Sequence, residues 1–184
     1  MMTYISGRMA TTGLKGGLTQ DEILAIDLAK LGLCKGDIVA DLGCGTGKVS
    51  LALAALTEQV FAVDRSPEAI AHARAAAEKS GVENITFIEA EAVDFLQQVD
   101  RLDCAFVGGS GDLEEVITLL SRKVHRSIVV NAVLIRTLDT AISCMKKEGI
   151  FKEALHVQVS RSHELGDQLM FRPLDPVYII VGGR

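Results

Sequence analysis

Apolar and polar positions along this chain switch between two periods in a regular order. Ile23, Leu24, Leu28 and Leu31 recur at helical spacing. They predict a helix with Thr19 as N-cap and Glu22, three residues on, completing a capping box, broken near Gly32. Lys35-Gly36-Asp37 then reads as a turn, and Ile38-Val39-Ala40 begins a buried strand that ends at Asp41-Leu42. A glycine loop follows, then a helix over 49–56. The next strand covers 60–63 and ends on Asp64, and a helix opened by Ser66-Pro67 is closed by Gly81. Further strands are predicted at 85–88, 104–107 and 128–130, with helices between them that include one near 113–120. Another helix runs from about 137 to 147 and stops at Gly149.

The tail differs. Leu155, Val157 and Val159 alternate with His156, Gln158 and Ser160, which gives a strand one apolar and one polar face. Residues 177–181 form a final, more continuously apolar strand. Two strands joined without a helix predict an antiparallel hairpin at a sheet edge. The alternation before them predicts a parallel sheet with crossover helices, an α/β fold.

Length and composition narrow the picture without naming a chemistry. A chain of 184 residues is expected to form one domain over 1–184, and an apolar share of 48% is enough for a proper core. No apolar run has the length of a membrane helix, and residues 1–17 lack the basic-then-apolar order of a secretory signal. Cys34, Cys44, Cys104 and Cys144 are scattered, with no C-x-x-C pair, so neither a metal site nor a disulfide framework is expected. A reduced cytoplasmic setting follows. The net charge of −5 argues against nucleic acid or a membrane surface as partner, and the absence of Trp removes the best base-stacking side chain. A local basic pocket stays open.

The candidate chemistry lies in Asp41-Leu42-Gly43-Cys44-Gly45-Thr46-Gly47. Three alternating glycines directly after a buried strand allow positive φ, or a close approach of backbone to a ligand. The carboxyl end of a parallel strand is where open sheets bind ligands. A plain tight turn would also use glycine. Two acids favour a ligand. Asp41 ends an apolar strand, where a carboxylate needs a donor or a cation, and Asp64 ends the next strand, where a carboxylate can accept ribose hydroxyls. The spacing is neither the dinucleotide fingerprint nor a Walker loop, since Lys48 is followed by Val49.

This string resembles the first motif of class I S-adenosylmethionine-dependent methyltransferases, a resemblance that spans about 19–130. It implies a Rossmann-like fold, a mostly parallel seven-stranded sheet with an antiparallel C-terminal hairpin, and S-adenosylmethionine as cofactor. It also implies that Gly43, Cys44, Gly45, Thr46 and Gly47 pass under the methionine moiety, with Asp41 near its amino group and Asp64 on the ribose. Glu89-Ala90-Glu91-Ala92 matches the third-strand motif, so Ala92 (through its backbone) and Glu91 would flank the adenine. Glu91 reads equally as an exposed acid at a helix start.

Four stretches resemble more closely the decarboxylating precorrin methyltransferases of cobalamin biosynthesis. They are Gly17-Leu18-Thr19-Gln20-Asp21-Glu22-Ile23, Phe106-Val107-Gly108-Gly109-Ser110-Gly111, Ile128-Val129-Val130-Asn131-Ala132-Val133 and Asp175-Pro176-Val177-Tyr178-Ile179-Ile180. The resemblance implies methylation of carbon 15 of cobalt-precorrin-6B or its metal-free counterpart, a tetrapyrrole substrate, Thr19 against the cofactor, and a homotetramer. Gly108-Gly109 would leave room for a broad planar substrate, or form a plain turn. Asn131 would position substrate or cap the next helix, having both donor and acceptor. A carboxylated macrocycle calls for cations, and Lys15, Arg136, Arg161 and Arg172 are candidates, as is His163 for protonation. Each of these also reads as an ordinary surface side chain. An RNA or protein methyltransferase of the same fold, and a non-catalytic cofactor-binding module, are the alternatives.

Overall fold

In the computed structural model, which describes residues 19–109 and 111–184, the first helix, α1, spans Asp21–Leu31. Its N-cap is Gln20, extended and without a side-chain cap bond, so the predicted capping box on Thr19 does not form. The reason is tertiary. Lys48 takes the Thr19 carbonyl and the Asp21 carboxylate, while Glu22 turns outward to Arg161 instead of reaching back. Gly32, at φ 59°, ends the helix in the left-handed region that glycine adopts without a Cβ penalty.

The alternation then runs β1 (Ile38–Leu42), α2 (Lys48–Ala54), β2 (Gln59–Asp64), α3 (Pro67–Ser80), β3 (Ile85–Glu89), α4 (Ala92–Gln98), β4 (Leu102–Val107), α5 (Leu113–Lys123), β5 (Val124–Ala132) and α6 (Ile135–Lys147). At the start of α3, Ser66 caps the Ala69 amide and Pro67 occupies the first turn, as predicted. Four strands close the chain: β6 (Phe151–Val157), β7 (Ser160–Leu165), β8 (Gln168–Pro173) and β9 (Val177–Gly183). The main sheet has seven strands in the order β3-β2-β1-β4-β5-β9-β6. Five pair in parallel from β3 to β5, and β9 runs antiparallel between β5 and β6. The antiparallel pair at the sheet edge is therefore β6–β9, and β7–β8 is an additional hairpin standing off the sheet between them.

Neighbouring residues of each central strand enter different cores, as the period of two requires. Val39, Cys104, Phe106, Val129 and Ile179 pack under α1 and α2, while Ala40, Leu42, Ala105, Val107, Val130 and Ile180 pack against α4, α5 and α6. Both faces of the sheet are covered, which explains why these strands read as continuous apolar runs. The order of strands reverses at β1 and β4, and that is where the carboxyl ends part to leave a crevice.

Candidate active site

The carboxyl ends of β1 to β4 border a cavity of about 700 Å³, a size suited to a nucleoside-sized ligand. Of the residues singled out from sequence, Thr19, Gly43, Cys44, Gly45, Thr46, Asp64, Glu91, Ala92, Gly108 and Gly109 line it. Asp41, Gly47, Asn131 and Arg136 lie outside that lining.

The three loop glycines all have positive φ, of 80°, 52° and 79°, but they serve different ends. A Cβ on Gly43 would stand 2.5 Å from the Gly109 carbonyl oxygen, and one on Gly47 would stand 2.8 Å from Ala73 Cβ on α3. Those two are small so that the loop can pack. A Cβ on Gly45 would meet nothing within 4 Å, and Gly45 faces the cavity. It is the position whose bare backbone is offered to a ligand. The double glycine after β4 follows the same division. Gly108 packs against Phe106 and the Gly43 carbonyl, whereas Gly109 has open space where its Cβ would be.

Asp64 is held by its own surroundings. Gly45 N–H donates to Oδ2 at 3.0 Å and Ser66 N–H to Oδ1 at 2.9 Å, which leaves further lone pairs on both oxygens. Asp41 sits fully buried beneath the loop, where the Ser50 hydroxyl donates to Oδ2 and Oδ1 has no partner. Its partner is thus a donor and not a cation, and burial pushes its carboxyl up to about 7. Burial also holds the Cys44 thiol far above its usual range, so it supplies no thiolate.

The cavity wall carries more acid than base. Asp64, Glu68, Glu91 and Asp112 face Lys48 and Arg65, and Arg65 lies 3.6 Å from Glu91. Such a lining suits a cationic ligand. Lys48, Arg65 and Glu68 were not predicted as site residues. Lys48 and Arg65 adjoin the glycine loop and Asp64 in sequence, and that adjacency was the available signal.

The substrate-side candidates scatter. Asn131, at the end of β5, donates to Asp27 Oδ2 at 2.7 Å. Asp27 is a buried acid on the core face of α1, missed because one polar position in an apolar helix face carries no periodic signal. Burial pushes its carboxyl up to about 7. Arg136 borders a second cavity of about 460 Å³ with Thr137, Thr140, Glu114 and Glu115, which adjoins the first at Gly111 and Asp112. Beside it, Val133, Leu134 and Ile135 are exposed at the top of β5. Arg161 on β7 grips Glu22 through two bonds, of 3.2 and 2.7 Å. Arg172 faces Arg161 across the hairpin, and His163 is exposed on the same strand as Arg161. Lys15 lies outside the described residues.

The sequence and the fold are both similar to those of known proteins. A family model described as a precorrin methyltransferase domain matches residues 13–182. A protein of Methanosarcina acetivorans, named "Probable cobalt-precorrin-6B C(15)-methyltransferase (decarboxylating)", is 44% identical over 93% of this chain and 96% of its own. The crystal structure of a precorrin-6y C5,15-methyltransferase from Geobacter metallireducens superposes with a TM-score of 0.87 at 32% identity, covering 94% of each chain. That of a precorrin 8W decarboxylase from Methanobacterium thermoautotrophicum gives 0.87 at 31% identity, over 91% of this chain and 92% of its own. With a family model spanning residues 13–182 and a fold matched over 94% of the chain, this chain belongs to the precorrin methyltransferase family.

Proposed function

We infer that this protein is a decarboxylating methyltransferase that transfers a methyl group from S-adenosylmethionine to carbon 15 of cobalt-precorrin-6B or its metal-free counterpart. The observation that carries this reading is the crevice in which the open Gly45, the prepared Asp64 carboxylate and the free side of Gly109 share one cavity. It is supported by similarity over nearly the full length to relatives bearing that name. In this reading residues 1–184 act as one domain in the cytoplasm, and the chain assembles as a homotetramer.

The residues present fit S-adenosylmethionine. Asp64 has lone pairs left for two ribose hydroxyls, Gly45 offers bare backbone, Glu91 and Ala92 border the outer end, and the acid-rich wall favours a sulfonium. When bound, S-adenosylmethionine supplies a methyl group on a sulfur that is already a good leaving group. The protein's own task is then positional. The loop and the Gly108-Gly109 turn would hold the cofactor with its methyl group toward the acceptor carbon. Arg136, the cation lining the adjoining cavity beside Asp112, Glu114 and Glu115, would meet a carboxylate of the macrocycle there with the hydroxyls of Thr137 and Thr140. Loss of carbon dioxide breaks a carbon–carbon bond whose electron pair enters the conjugated tetrapyrrole, and a proton then completes the new methyl side chain.

The test is mass balance. Purified protein, S-adenosylmethionine and the precorrin should yield a product lighter by about 30 mass units, from a gain of about 14 and a loss of about 44. A gain of about 14 alone would mean methylation without decarboxylation. No change would return an RNA or protein acceptor, or a non-catalytic module, to the front.

A further inference from the structure

Lys48 is the first residue of α2, directly after the glycine loop, and it lines the cavity. Its ammonium is held in place. One N–H goes to the Thr19 carbonyl, and Asp21 Oδ1 lies 2.7 Å away. An ammonium has three donors, so one remains beyond these two contacts. The Asp21 side chain is 82% exposed, so water screens that pair strongly and the pair holds the ammonium only weakly.

The rest of the lining makes this charge matter. Asp64 and Glu68 stand on the β2–α3 side, Glu91 at the start of α4 and Asp112 at the start of α5, and Arg65 is drawn to Glu91. An S-adenosylmethionine whose ribose is held at Asp64 and whose adenine points toward Glu91 and Ala92 extends its amino-acid end toward Thr19, Gly43 and Lys48. That end carries a carboxylate. Against an acid-rich wall it needs a cation, and Lys48 lines the cavity directly after the glycine loop, bonded to the Thr19 carbonyl.

We propose that Lys48 binds the amino-acid carboxylate of the cofactor, making it the residue that distinguishes the complete cofactor from nucleosides lacking that group. The proposal rests on the S-adenosylmethionine reading of the site, and it adds a residue that the loop motif does not contain. It also accounts for the unusual start of α1, because the grip of Lys48 on Thr19 and Asp21 presets the ammonium before ligand arrives.

Two ligands separate the possible roles. S-adenosylhomocysteine carries the amino-acid tail, whereas 5′-methylthioadenosine has the same nucleoside and sulfur without it. Calorimetry on wild type, Lys48→Met and Lys48→Arg is the experiment. For Lys48→Met, S-adenosylhomocysteine should bind at least about tenfold more weakly, the loss of one charge-assisted hydrogen bond, with 5′-methylthioadenosine changed by less than about twofold. Lys48→Arg keeps the charge and should hold S-adenosylhomocysteine within about threefold of wild type. Equal weakening of both ligands in Lys48→Met would reduce Lys48 to a shaper of the wall and overturn the proposal, as would no change for either. Wild type that binds neither compound would overturn the cofactor reading itself, and the proposal with it.

Discussion

Replacing Asp27 by Asn should stabilise this protein, and by an amount that grows with pH. In the native fold Asp27 has no exposed surface. It accepts one bond from the Asn131 amide, while Asp27 Oδ1 and Asn131 Oδ1 are both buried without a partner. Burial raises its carboxyl to about 7, against about 3.9 in the unfolded chain. The folded protein therefore holds this proton more tightly than the unfolded one between those two values. Stability linked to Asp27 is intact below about pH 4, falls as pH rises to about 7, and is level above that. Asn at this position never ionises. Its amide can return a bond to Asn131 Oδ1 while its oxygen takes the existing one, so both orphaned acceptors are resolved. Linkage puts the advantage of Asp27→Asn at about 1–2 kcal/mol near pH 5 and about 4 kcal/mol near pH 8. Asp41 is also raised, but it is common to both proteins and cancels in the difference. Urea unfolding of both proteins without cofactor, from about pH 5 to about pH 8, measures that difference directly. A difference that does not change with pH would refute the reasoning, and so would a mutant less stable than wild type at the alkaline end.

Three further outcomes are expected. Asp64→Ala should weaken S-adenosylhomocysteine at least about tenfold in calorimetry and lower the melting temperature, since it removes an acceptor of ribose hydroxyls and the partner of the Gly45 and Ser66 amides; unchanged affinity would take Asp64 out of the site. Gly43→Ala should melt well below Gly45→Ala, because both suffer a left-handed penalty of about 1–2 kcal/mol but only Gly43 collides with the Gly109 backbone. Gly45→Ala should instead lose ligand, and a variant that binds normally would show that the loop backbone is not approached. Light scattering at micromolar concentration should report an oligomer that Phe171→Glu disrupts, since Leu169 and Phe171 stand two apart on one face of the β7–β8 hairpin and are both exposed in the lone chain. A wild-type monomer would end that proposal.

What the sequence made legible was set by the strength of local signals. The strand ending at Asp41-Leu42 and the helix between Pro67 and Gly81 were readable because a buried run, a cap, a proline and a closing glycine agreed. β5 was foreseen only at 128–130, because its first half, with His125, Arg126 and Ser127, is polar. Arg126 is held there by Asp37, a long-range pairing that no local pattern announces. The hairpin β7–β8 was missed altogether. Every residue in it is exposed, so burial imposed no alternation, and only the Gly166-Asp167 turn marked it. In the site, glycine spacing located the loop but could not say which glycine was for packing and which for ligand. Gly43 and Gly47 are decided by Gly109 and Ala73, residues far away in the chain.

The placement of β9 bears on how the chain reaches this state. β6 is synthesised before β9 yet among the described residues has no other neighbour in the sheet, so residues 151–157 emerge from the ribosome before the strand they pair with. The exposed hairpin supplies a remedy. β7 and β8 are joined by a short turn at Gly166, where local pairing closes within microseconds. Once they pair, the Leu174 amide reaches the Val159 carbonyl at 2.8 Å, and Val157 and Val177 stand opposite each other. The β6–β9 register can then zip outward from a preformed end, without the search that closing a long open loop would demand. Because β9 also pairs with β5, it is this ribbon that covers the last edge of the parallel sheet at Val129 and Val130.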